Sequence, residues 1–178
     1  MATEQLRLVD GTIVRKCPTI KPLYCSRAGK FYSVHNAILT DDGWVLREIK
    51  PVLKQSGTRK CTYTKGGGTH YPFMRNFANK HCHFLVAAAW LGPRPDGMVI
   101  DHINGDILNW SADNLEYVTP AENNKRAKLL RVLRSIGRDP RKMSREELLK
   151  IFNKYEFVDP NKQMEYEMTH HIESPIFD

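Results

Sequence analysis

Hydrophobic and polar positions fall into distinct regimes along the chain. Between residues 22 and 64 apolar residues come in short runs, alternate with polar ones and are broken by turn formers, a pattern of strands. Pro22-Leu-Tyr-Cys-Ser-Arg-Ala-Gly-Lys-Phe-Tyr-Ser-Val34 predicts a hairpin turning near Gly29, and Gly43–Arg47 and Lys60–Thr64 predict further strands. Gly66, Gly67 and Gly68 read as a flexible loop, better explained as a hairpin tip than as close backbone approach to a ligand. At His83-Phe-Leu-Val-Ala-Ala-Ala-Trp-Leu91 the pattern becomes a compact apolar run of strong helix formers, closed by Gly92-Pro93. It predicts a core helix. Met98–His102 and Leu115–Thr119 then predict two short strands around a polar loop of Asn, Asp, Gly and Ser.

A well-marked helix start follows. Thr119 suits the N-cap, Pro120 the first helical position, and Glu122 falls where a capping box needs an acid. The spacing predicts a helix to Ile136, ending at Gly137, with Ala127, Leu130, Leu133 and Ile136 on its inner face. Asn123 shares that face, and an amide pointing inward needs a partner or a ligand. Ser144-Arg-Glu-Glu147 is a second capping box, opening a shorter helix to about Tyr155, after which an extended tail is expected. The predicted class is α+β. Residues 1–80 form a β-rich N-terminal module, 81–137 a strand–loop–strand–helix core, and 138–178 a C-terminal helix and tail.

Composition narrows the function classes. A chain of 178 residues that is 41% hydrophobic can bury a real core, as one ordinary domain with an appendage. No run of 18 apolar residues occurs, so no membrane partner is expected. The first residues lack a basic-then-apolar leader, and four cysteines are too few for a disulfide scaffold in a chain this long. Both point to the reducing cytoplasm. The net charge of +7 is unevenly spread. Residues 43–80 and 125–150 carry +7 each, whereas 81–124 between them carry −5. Basic arms of this kind suit a polyanion, with solvated soluble faces as the plainer explanation.

The side chains expected to converge within the core are Asp101, His102, Asn114 and Asn123. Asp101 and His102 sit where the first strand gives way to the loop, Asn114 precedes the second strand, and Asn123 lies one turn into the helix. The Asp101 carboxylate and the Asn123 carbonyl are hard oxygen donors, and Mg²⁺ is commonly held by one or two such groups. A neutral imidazole is suited to deprotonating water. Together these are parts for metal-assisted phosphodiester hydrolysis.

Val99-Ile-Asp-His-Ile-Asn-Gly-Asp106, Asn109 and Asp113-Asn-Leu-Glu-Tyr-Val-Thr-Pro-Ala-Glu-Asn123 resemble the HNH endonuclease (ββα-metal) motif, in the H-N-N form of phage and homing nucleases. The helix at 83–90 is similar to that group's lead-in helix, and residues 24–33 and 49–53 resemble the small β-rich DNA-binding module often fused ahead of it. The resemblance implies His102 as general base, one Mg²⁺ or Mn²⁺ held by Asp101 and Asn123, and Asn114 orienting His102 and bracing the loop. Many relatives have His where this chain has Asn123, and Asn124 is an adjacent alternative. Double-stranded DNA becomes the expected partner. A site-specific nicking or homing enzyme follows from the same resemblance, and a catalytically silent DNA-binding protein on the same scaffold is the rival.

Arg47, Lys50, Lys54, Arg59, Lys60 and Lys65 on the β-rich arm, and Arg126, Lys128, Arg131 and Arg134 on the helix, are the candidate DNA contacts. Arg138, Arg141, Lys142 and Arg145 extend that basic run. Zinc is disfavoured, because Cys61, His81, Cys82 and His83 lack paired C-x-x-C spacing. His83 reads better as a packing or capping residue than as a phosphate contact. His170 and His171 fall in the tail.

Overall fold

The computed structural model describes residues 4–18, 20, 23–52, 71–74, 77 and 80–154. The strand expected at 60–64, Gly66, Gly67, Gly68, Cys61, Lys54, Arg59, Lys60, Lys65, Tyr155, His170 and His171 lie outside the described residues. The class is α+β, with an antiparallel sheet followed by helix, strand, strand and two helices. By compactness the chain divides into two units, one of residues 1–93 with 107–113 and one of 94–106 with 114–178.

In the first unit, β1 (Gln5–Arg7), β2 (Ile13–Lys16), β3 (Leu23–Ser26), β4 (Phe31–Thr40) and β5 (Gly43–Ile49) form an antiparallel meander in chain order. The hairpin expected around Gly29 is β3–β4, with Cys25 opposite Phe31 and Gly29 at a φ of 84°. Alternation along the strands then separates two faces. One buries Leu8, Val14, Tyr24 and Tyr32, with Leu6, Val34, Trp44 and Leu46 packed against them. The other carries Cys25 and Phe31, both fully buried. The sheet curls, so that just past β1 the Val9 amide donates to the Trp44 carbonyl of β5 at 3.1 Å. Gly43 permits that closure, because a Cβ there would lie 2.9 Å from the Arg7 carbonyl oxygen. A short ribbon of β6 (Phe73–Met74) and β7 (Lys80–His81) leads into α1 (Cys82–Trp90), which packs on β2 and β3. This is the predicted core helix, burying Cys82, His83, Leu85, Val86, Ala87 and Ala89. Cys17, Cys25 and Cys82 are buried free thiols.

In the second unit, β8 (Val99–His102) pairs antiparallel with β9 (Leu115–Val118), placing Asp101 opposite Glu116 and His102 opposite Leu115. The helix α2 (Pro120–Ser135) starts as predicted, with Thr119 Oγ1 accepting from the Glu122 amide at 3.1 Å. The second capping box is reciprocal: Ser144 N donates to Glu147 Oε2 at 2.7 Å and Glu147 N to Ser144 Oγ at 3.1 Å, opening α3 (Arg145–Lys154).

The buried face of α2 differs from the expected one. Leu129, Leu130, Val132 and Leu133 are buried with Ile103 and with Leu148, Ile151 and Phe152 of α3, whereas Ala127 is half-buried and Ile136 is 40% exposed. Two causes account for it. The apolar face of α3 packs against α2 and draws Leu129 and Val132 inward, and the helix ends at Ser135, before Ile136 completes another turn.

Candidate active site

Asp101 and His102 end β8, and both are buried, at 7% and 6% exposure, although adjacent strand residues point to opposite faces. The strand stops at His102 and the chain turns sharply, the Gly105 amide donating to the His102 carbonyl at 2.7 Å. Burial pushes the His102 imidazole down to about 4, against a smaller opposing pull from the Asp106 charge, so the ring is neutral at neutral pH. Burial also raises the Asp101 carboxyl above the usual carboxylate range, with the Arg126 guanidinium opposing the rise.

Asn114 fastens the backbone that follows the histidine. Its carbonyl accepts from the Ile103 amide at 2.9 Å and its Oδ1 from the Asn104 amide at 3.1 Å. The Asn104 side chain in turn accepts from the Asp106 amide at 2.9 Å, an Asx turn within the loop. Two bonds thus join Asn114 to the segment just after His102. Both asparagines are buried, and buried amides need such partners.

Arg126 departs from expectation. The basic run of α2 predicts a DNA contact there, but it is a buried residue whose guanidinium is committed to acids of its own unit. Its Nε donates to Glu122 Oε1 at 2.9 Å, and its Nη1 lies 2.9 Å from Glu116 Oε2 and 3.4 Å from Asp101 Oδ2. The Phe152 ring of α3 lies 4.9 Å from the guanidinium carbon, in cation–π range. The reason is local: Asp101 and Glu116 are opposed across the β8–β9 ladder, an unfavourable pairing of like charges that a cation from the adjoining helix relieves.

The oxygens expected to hold a metal keep capacity for one. Arg126 engages Oδ2 of Asp101, and among the described residues no donor reaches its Oδ1. The half-buried Asn123 side chain likewise makes no hydrogen bond to a described residue. A carboxylate and an amide carbonyl are both oxygen donors of the kind a hard divalent ion that keeps several waters accepts. Among the described residues, no group of three or more His, Cys, Asp and Glu side chains is arranged to hold a metal.

Lys128, Arg131 and Arg134 are exposed on α2, and Arg47 and Lys50 are exposed around β5, where Lys50 is ion-paired with Glu48. His83 is a packing residue: its ring lies 4.6 Å from that of Tyr71 and 4.5 Å from that of Phe84. The sequence reasoning missed Glu116, Asn104 and the inward role of Arg126. The i,i+4 spacing of Glu122 and Arg126 was the available signal for the last of these.

No helix among the described residues is long and apolar enough to cross a membrane. No curated protein and no solved structure gives a significant match to the chain. Residues 80–125 match the family model described as HNH endonuclease, a span that runs from β7 through α1, β8 and β9 to the first turn and a half of α2. Over residues 80–125 the chain is therefore similar to the HNH endonuclease family.

Proposed function

We propose that the protein is a metal-dependent DNA endonuclease that hydrolyses phosphodiester bonds with His102 as general base. The observation that carries the reading is a buried, neutral imidazole next in sequence to a carboxylate with one unengaged oxygen, inside the segment that matches the HNH family. A base must be neutral to accept a proton, and burial keeps His102 so at physiological pH. The imidazole takes a proton from water as the water oxygen bonds to phosphorus. The P–O3′ bond breaks, leaving a 5′-phosphate, and the departing 3′ oxygen takes a proton from solvent water to become a 3′-hydroxyl. Asn114 holds the segment beyond His102 and orients its ring. Asp101 and Asn123 hold one divalent ion, Mg²⁺ or Mn²⁺, which when bound supplies Lewis-acid stabilisation of the charge on phosphate and leaving oxygen.

Exposed Lys128, Arg131 and Arg134 on α2, with Arg47 and Lys50 on the β-rich module, contact backbone phosphates of double-stranded DNA. A site-specific nicking or homing enzyme is the finer form of this reading. The decisive experiment incubates supercoiled plasmid with the protein in Mg²⁺, Mn²⁺ or chelator. Nicking in either metal and none in chelator is expected, and His102→Ala should abolish it while sparing folding and DNA binding. Undiminished cleavage by that variant would sink the mechanism. Tight, salt-sensitive DNA binding without cleavage in any divalent metal would favour the silent DNA-binding protein.

A further inference from the structure

Arg126 sits where a cation is costly unless it is paired, and here the pairing is unequal. One guanidinium faces three carboxylates, so the cluster holds two negative charges in excess when all are ionised. The two part-exposed acids, Glu116 and Glu122, have the better contacts at 2.9 Å each. The most buried acid, Asp101, has the poorest: 3.4 Å, through an Nη1 it shares with Glu116. The Phe152 ring covers the guanidinium from α3, a helix outside the family match, and so limits its freedom to swing. On electrostatic grounds alone the arginine should close on the buried Asp101, where the dielectric is lowest. The glutamates hold it back.

We propose that Arg126 is a positioning residue that competes with the divalent ion for Asp101, and that Glu116 and Glu122 hold it off that carboxylate so that the ion can bind. The proposal rests on the metal-dependent reading of the site. Without the arginine, Asp101 would meet the ion with no competing cation, but it would lose the contact that fixes its orientation. Without the glutamates, the arginine would close on Asp101 and exclude the ion. Removing Arg126 and removing its two restraints therefore change metal affinity in opposite directions, and the effect of the glutamates depends on the arginine being present, which bare charge effects would not give.

The test is Mn²⁺ titration of the full DNA-free chain, followed by the electron paramagnetic resonance signal of free Mn²⁺, with far-ultraviolet circular dichroism to verify folding. Arg126→Met should bind Mn²⁺ about tenfold more tightly, the removal of one nearby positive charge, while its turnover on DNA falls. Glu116→Gln combined with Glu122→Gln should bind more weakly, and that weakening should largely vanish in the Arg126→Met background. Equal weakening in both backgrounds would mean that the glutamates act directly on the ion and would overturn the proposal. If Arg126→Met does not fold, the cycle is run on Arg126→Lys, whose point charge cannot grip both glutamates; there too the weakening should shrink, and an undiminished effect overturns the idea. Mn²⁺ binding by the wild type with unaltered affinity in folded Arg126→Met overturns this proposal alone. Absence of Mn²⁺ binding by the wild type overturns it together with the metal-dependent reading.

Discussion

Replacing His102 by Gln should flatten the acid side of the stability curve. In the folded chain the imidazole is depressed to about 4, whereas an unfolded chain returns it to its ordinary value of 6.5. Above the unfolded value the ring is neutral in both states, and its depressed pKa costs nothing. As pH falls below 6.5 the unfolded state takes up a proton that the folded state refuses, so folding weakens steadily until the ring protonates in place. Linkage at ~1.4 kcal/mol per unit gives a loss of about 2 kcal/mol between about pH 7 and pH 5, and about 3 kcal/mol over the whole window. Asp101, whose carboxyl is raised, acts in the opposite sense, but it is present in both proteins and drops out of their difference. The assay is urea unfolding in chelator at a series of pH values, wild type against His102→Gln. The gap between the two curves should narrow, or reverse in sign, by about 2 kcal/mol on acidification from pH 7 to pH 5. Parallel curves would show that His102 is not desolvated, and would remove the basis for its neutrality in the proposed mechanism.

Leu133→Ala removes a fully buried side chain from the α2–α3 core and should cost about 2–5 kcal/mol in denaturant unfolding, with a loss below about 1 kcal/mol contradicting the packing. Thr119→Ala removes the oxygen that caps α2 and should cost about 1 kcal/mol, whereas Thr119→Ser should be near neutral. Gly29→Ala combines a positive φ with a Cβ 2.7 Å from Trp110 Cδ1, so thermal unfolding should show a loss of more than about 1 kcal/mol. An unshifted midpoint would mean that Trp110 does not pack there.

Much of the architecture was legible because local chemistry and tertiary structure agree. The turn at Gly29, the apolar run of α1 closed by Gly92, the Thr119 N-cap and the Ser144–Glu147 capping box are short-range signals, and each appears within a residue or two of its expected place, although the Glu122 side chain turns to Arg126 instead of closing a box on Thr119. The inner face of α2 was only half legible. The 3.6-residue pattern identifies Leu130 and Leu133, but Leu129 and Val132 are buried only because α3 packs beside them, a long-range fact absent from the helix's own periodicity. Arg126 was illegible for a related reason. Within a run of bases it looks like its exposed neighbours, and only the β8–β9 register, which opposes Asp101 to Glu116, creates the demand for an internal cation. The strand end and the turn that carry Asp101, His102 and Asn114 were legible from their local pattern. Their burial, and the Asn104 Asx turn that completes the loop, emerge only once the strands pair.

The division of the chain into units bears on how such a nuclease can be recombined. Residues 107–113 connect β8 to β9 but belong to the compact unit of the N-terminal sheet. There the Trp110 indole donates to the Gly29 carbonyl at 2.9 Å, Arg27 pairs with Asp113 at 2.6 Å, and the Ala112 amide donates to the Arg27 carbonyl at 2.8 Å. Excising the strand–strand–helix element as one continuous piece would strip the sheet of these partners and leave a tryptophan in the excised loop without its seat. An exchange that respects both units needs three junctions, after Pro93, Asp106 and Asp113. Shuffling by a single crossover would break one unit or the other, so grafting another N-terminal module onto this strand–strand–helix element requires its connector to be redesigned at the same time.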